Sequence, residues 1–155
     1  MSKKNITIRF GLLAAFILLA ASTRFLFIPN FTAIGAMGLF GAAYFTPKQW
    51  AFVVPFAALW LSDLVINNVV YGAPGQAFMW MGYSWVYFAF GLTIILGILM
   101  LRQVKPLRLL GASLMTSILF FLLTNFGAFW GSPMYPQNFG GLMASYAAGI
   151  PFFWN

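Results

Sequence analysis

Asp63 is the only acidic residue in a chain of 155, set against eight Lys and Arg, and there is no His and no Cys. That inventory removes most catalytic chemistry. Paired carboxylates, a Cys or His nucleophile or base, a zinc site of the usual donor set and a disulfide all lack their residues. There is no Gly-x-x-x-x-Gly-Lys-[Ser/Thr] loop and no second acid to hold magnesium, so the chain is not expected to hydrolyse ATP. Neither an enzyme nor a cofactor or metal site is expected. The groups that remain are groups that bind. Arg24 and Asp63 carry charge, Asn30, Asn67 and Asn125 are amides, and Tyr83, Tyr87 and Trp130 offer flat rings with a polar atom.

The elements that must position them are read from hydropathy. Hydrophobic residues are 63% of the chain, charged residues 6%, and the mean hydropathy is +0.92. A soluble domain carries about 25% charged residues, so polar surface to cover a water-soluble particle is lacking. The reading is an all-α, integral membrane protein, a single transmembrane domain over 1–155. Spans are predicted at 10–28, 31–46, 49–66, 79–101 and 109–130, with a partial sixth over 141–155. A span takes about 20 apolar residues, so the last reads as truncated. Breaks fall at Pro29-Asn30, Thr46-Pro47-Lys48, Gly72-Ala73-Pro74-Gly75, Val104-Lys105-Pro106 and Gly131-Ser132-Pro133.

Charge sets the expected orientation. Lys3, Lys4, Arg9, Lys48, Arg102, Lys105 and Arg108 all fall on one side of an up-and-down bundle, and the opposite loops carry no Lys or Arg. By the positive-inside rule the N-terminus is cytoplasmic. A cleaved leader is disfavoured because the first apolar run resumes after Arg24 as Phe25-Leu26-Phe27-Ile28.

Depth then brings the binding groups together. At 1.5 Å per residue Arg24 lies about 21 Å above Phe10, Asp63 about 20 Å above Trp50 and Asn125 about 24 Å above Leu109. The fourth span descends from the other side and adds Tyr83, Ser84 and Tyr87 to that layer. Ionisable groups at such depth face a partner or a cavity. Two readings of Arg24 and Asp63 stand: a structural ion pair, or the polar wall of a small-molecule pocket. Asn67, Asn68 and Tyr71 either join that pocket or cap the third helix. Trp130, Tyr83 and Tyr87 are the rings placed to stack on a flat ligand.

Small residues form two stripes. Gly11, Ala14, Ala15, Ala21 and Ser22 share one side of the first helix, and Gly11-x-x-x-Ala15 lets another backbone approach closely. Gly35, Ala36, Gly38, Gly41, Ala42 and Ala43 do the same on the second. Packing inside the bundle is expected to account for at least one stripe, and a docking face for a separate membrane subunit is the alternative for the other.

Several runs carry a family resemblance. They are Arg24 to Phe45, with Pro29-Asn30 and Gly35-Ala36-Met37-Gly38 inside it; Leu61-Ser62-Asp63-Leu64; Thr124-Asn125-Phe126-Gly127-Ala128-Phe129-Trp130; Tyr135-Pro136; and Tyr146-Ala147-Ala148-Gly149-Ile150-Pro151. From about Phe10 onward the chain resembles a family of small bacterial membrane proteins. That family is similar to the substrate-binding S components of energy-coupling factor (ECF) vitamin transporters. The resemblance implies a six-helix bundle in the bacterial cytoplasmic membrane with its N-terminus inside and a vitamin-sized pocket near the outer face. It implies no ATPase activity of its own, a transmembrane coupling subunit and cytoplasmic ATPases as partners, and toppling in the membrane to release substrate. Gly11, Ala15 and Ala14 would meet the coupling subunit, and Arg24, Asn30, Asp63, Asn67 and Asn125 would hold the ligand.

Three functions are therefore expected in order. The first is a capture subunit for a vitamin or related small molecule, with the 67–78 loop closing over the ligand. The second is a stand-alone permease coupled through protonation of Asp63. The third is a structural or assembly protein in which Arg24 and Asp63 fix helix register.

Overall fold

Helices that are apolar all round have no polar face to orient them, so shape decides which surfaces meet. A computed structural model of the protein describes residues 3–26 and 33–153. Asn30 and the Pro29-Asn30 break lie outside the described residues. Six α-helices follow in order: α1 (Lys3–Ser22), α2 (Ile34–Tyr44), α3 (Trp50–Val65), α4 (Ser84–Met100), α5 (Pro106–Trp130) and α6 (Phe139–Gly149). No strand occurs among the described residues. The stretches Gln49–Val70 and Pro106–Trp130 are each long and apolar enough to cross a membrane, with only 28% and 11% of their apolar windows buried. A core helix of a soluble protein would be mostly covered by its own chain.

The boundaries depart from the hydropathy reading where local chemistry intervenes. Pro106 starts α5 a turn earlier than 109, because its missing N–H costs nothing at the first helical position. The third helix runs past 66 in a π turn, Ile66–Val70, closed by Tyr71 N donating to Ile66 O at 2.9 Å. The fourth starts at Ser84 rather than 79, since the chain first turns at 73–76. There Gln76 N donates to Ala73 O at 3.0 Å and Gly75 takes φ +83°. Pro74 and left-handed Gly75 are the two central residues a type II turn prefers. Asn138 caps α6 by accepting from Gly141 N at 2.9 Å.

Packing shows the antiparallel order. At one end Phe10 of α1 meets Phe45 and Trp50, ring centroids 5.5 and 5.1 Å away. Lys48 there donates to Ala42 O at 2.7 Å, satisfying a carbonyl that the end of α2 leaves open. A core of Ile17, Met37, Ala42, Phe45, Leu59, Phe90 and Ile94 joins α1 to α4. Leu39, Leu101 and Ala112 form a second cluster that fastens α5, and α6 lies along α5 with Ser145 Oγ donating to Asn125 O at 2.7 Å.

The two small-residue stripes have different fates. On α2, Gly38, Gly41 and Ala42 are buried against neighbours: a Cβ on Gly41 would sit 2.9 Å from Pro55 Cγ and 3.2 Å from Ala51 O. Pro55 has no N–H for that carbonyl, so Ala51 O is left without its helical donor and faces the α2 backbone. On α1, Gly11 and Ala15 are exposed, Ala14 is half-buried, and only Ala21 of that stripe enters the core.

Gly97 of α4 tests this close approach, since a Cβ there would lie 2.7 Å from Ala42 Cβ. Gly97→Val is expected to destabilise the bundle by about 1–3 kcal/mol through overpacking. Gly35→Ala, with nothing within 4 Å of the new methyl, should shift stability by less than about 1 kcal/mol. Thermal unfolding in detergent reads both; equal melting temperatures for the two variants would contradict the close packing.

Candidate functional site

The first polar cluster grows from the end of α1. Ser22 and Thr23 turn their hydroxyls back onto Leu19 O and Ala20 O, at 2.7 and 2.6 Å, as α1 tightens into the 3-10 turn Thr23–Leu26. That turn swings Arg24 across to α3. Its Nη2 meets Asp63 Oδ1 at 2.6 Å, and its Nη1 donates to Ser62 Oγ and to Leu59 O, the latter at 3.3 Å. Tyr87 of α4 donates to the other carboxylate oxygen, Asp63 Oδ2, at 2.7 Å. Asp63 is 5% exposed, so this is a closed, buried ion pair with both carboxylate oxygens engaged. Gly82 backs onto Asp63 Oδ2 so closely that no Cβ fits between them.

The segment before α4 is held to α3 by side-chain amides and indole. Asn68 acts as a backbone mimic: its Nδ2 donates to Met79 O at 2.8 Å and its Oδ1 accepts from Met79 N at 2.7 Å. Trp60 Nε1 donates to Trp80 O at 2.9 Å. Residues 71–81 are themselves exposed. Their anchoring delivers Gly82 to the carboxylate and Tyr83 to the next feature.

That feature is a cavity of about 1060 Å³ between α2, α4 and α5, with Gly149 of α6 at its margin. Small-molecule sites run about 300–1,000 Å³. Gly35 and Ala36 of α2 leave room, and Phe40, Tyr44 and Phe120 supply ring surface. The polar lining comes mainly from α5, as Ser113, Thr116, Ser117, Thr124 and Asn125, joined by Thr93 of α4 and by Tyr83. Thr93 is 1% exposed and its hydroxyl is buried without a hydrogen-bond partner.

The residues singled out from sequence thus divide. Arg24, Asp63 and Tyr87 come together in the ion-pair cluster, outside the cavity. Tyr83 and Asn125 line the cavity instead. Asn67 is half-buried on the π turn, and Trp130 is 67% exposed, its ring stacked on Phe126 with centroids 6.0 Å apart, and neither lines the cavity. Asn30 lies outside the described residues. The hydroxyls of Thr93, Ser113, Thr116 and Ser117 were not anticipated. Their signal was present: 113, 116, 117 and 124 repeat at helical spacing on one face of an otherwise apolar α5. No group of three metal-binding side chains occurs among the described residues.

Breaking the pair tests its structural weight. Removing one partner of a buried ion pair leaves an uncompensated charge, worth about 3–5 kcal/mol, whereas replacing both by apolar residues is often neutral. Arg24→Ala alone should therefore lower the melting temperature sharply, and Arg24→Met with Asp63→Leu should recover most of the loss. A double variant no better than the single would remove the pair from this architectural role.

Neither a curated protein nor a solved structure matches the chain. The model of a family of unknown function (DUF6580) matches residues 4–155, and on that extent the chain belongs to this family.

Proposed function

We propose that the protein is a substrate-capture subunit, similar to an ECF S component, of a bacterial importer for a vitamin or related small molecule. The observation that carries the reading is the cavity of about 1060 Å³ walled by rings and a ladder of hydroxyls in an otherwise apolar bundle. Within it the Thr93 hydroxyl is buried without a partner, a cost that a hydrogen-bonding ligand would relieve. In this reading all six helices belong to a multi-pass bundle in the cytoplasmic membrane with the N-terminus inside. The shorter α2 and α6 are completed by partner surfaces or by a locally thin bilayer. Ligand arrives from outside, beneath the 71–82 segment, and Tyr83 forms part of the rim.

The ion pair has a supporting place here. Asp63 and Arg24 neutralise each other and hold the rim segment through Gly82, so the cavity keeps its shape without contributing charge. The proton-coupled alternative asks Asp63 to exchange a proton with a pathway, and a carboxylate covered by Arg24, Tyr87 and Gly82 is poorly placed for that. Energy for import comes from partner ATPases. The open side of α1 fits the other half of the task. Gly11 and Ala15 are exposed, nothing lies within 4 Å of a Cβ on Gly11, and small residues let a coupling subunit's helix approach.

Native mass spectrometry of protein taken gently from its own membranes tests both halves. A co-purifying small molecule is expected in the wild type and absent in Ser117→Phe, whose ring would occupy the cavity. An empty wild type would defeat the capture reading. Gly11→Leu with Ala15→Leu should abolish co-purification of membrane and ATPase subunits while leaving the small molecule bound. Partners retained by that variant would contradict the docking face.

A further inference from the structure

The chemistry of the cavity wall narrows what it holds. Among the described residues no charged side chain lines it. The one acid of the chain is closed against Arg24 outside the cavity, with Tyr87 and Gly82 over its second oxygen. A carboxylate, phosphate or ammonium group inside would lose its hydration with no counter-ion to replace it.

Hydrogen-bond bookkeeping narrows it further. Thr116 Oγ1 donates to Ala112 O, Thr124 Oγ1 to Phe120 O, and Asn125 Nδ2 to Phe121 O, each at 2.8 Å. A hydroxyl has one proton and two lone pairs, so both threonines turn only lone pairs to the cavity, while Asn125 keeps its carbonyl oxygen and its second N–H, and the hydroxyls of Ser113, Ser117, Tyr44 and Tyr83 can donate or accept. Thr93 adds a buried hydroxyl that lacks any partner, a state native proteins rarely leave unanswered. On α5 the helix-bonded groups run from Thr116 to Asn125, about 14 Å at 1.5 Å per residue, in a slot whose α5 lining begins at Leu109. Phe40 and Phe120 supply flat apolar surface beside it.

We infer that the cavity takes an uncharged, ring-bearing molecule that places N–H or O–H donors against the lone pairs of Thr116 and Thr124, and excludes anions and cations. This rests on the capture reading and specifies its substrate class. Arg24 lies outside the cavity lining, its two Nη atoms taken by Asp63, Ser62 and Leu59 and its Nε buried without a partner.

The probes for the test are three pools of a bacterial small-molecule extract, split by ion exchange into neutral, anionic and cationic fractions. Each is incubated with purified protein in detergent and examined by native mass spectrometry. The neutral pool should give a saturable adduct whose mass rises in D₂O by at least one exchangeable hydrogen. Thr116→Val should reduce its occupancy about tenfold, the size of one lost hydrogen bond. Thr93→Val, which removes a hydroxyl with no partner in the fold, should do the same with an unchanged melting temperature. An adduct from a charged pool alone, or one without exchangeable hydrogens, would overturn the inference and leave the capture reading standing. An adduct indifferent to both threonine variants would also overturn it. No adduct from any pool would overturn the capture reading, and this inference with it.

Discussion

Asp63 is 5% exposed in a chain without another acid, and an ionised carboxylate at such a place persists because each oxygen has its own partner, Arg24 on Oδ1 and Tyr87 on Oδ2. The carboxylate and its two partners come from three separate stretches of chain: the last turn of α3, the turn after α1 and the first turn of α4. One charged pair therefore fixes the relative height and rotation of three helices whose surfaces are otherwise interchangeable. Apolar packing is non-directional, and hydrogen bonds to a buried charge are not. The same carboxylate is the floor for Gly82, so it also sets where the chain re-enters the bundle and where Tyr83 stands.

Small side chains play two opposite parts around that frame. On α2 they close space: Gly38, Gly41 and Ala42 admit Phe90, Pro55 and the α4 backbone at Gly97. One turn nearer its start, Gly35 and Ala36 open space, because the facing side of α5 carries serines and threonines rather than large residues. Where short side chains of α2 face those of α5, a cavity remains. Close packing on one face of α2 and a hollow on another are thus products of the same residue type, and the residue opposite decides which occurs.

Two of the hydroxyls along the hollow are satisfied by their own helix. Thr116 and Thr124 bond to carbonyls four residues back, a common arrangement for threonine in an apolar helix. It satisfies the donor and leaves acceptor capacity toward the interior. α5 thus keeps a regular backbone and still offers a row of polar atoms.

Much of this was legible in the chain before any coordinates. Hydropathy and the Pro/Gly breaks located six helices, and the depth count put Arg24, Asp63 and Tyr87 in one layer, because rise per residue is fixed once a run is helical. Turn chemistry at Pro74-Gly75 and the cap at Asn138 are local and equally readable. Rotation about each helix axis was not. Asn125 and Tyr83 share the layer of the ion pair and yet face the cavity, Trp130 faces outward, and Asn68 rather than Asn67 ties down the loop. Composition and periodicity determine that these helices form and how long they are, since those follow from backbone geometry and apolar content. Which face meets which neighbour depends on contacts between residues far apart in sequence, and only the tertiary structure separated the pair that holds the bundle from the cavity beside it.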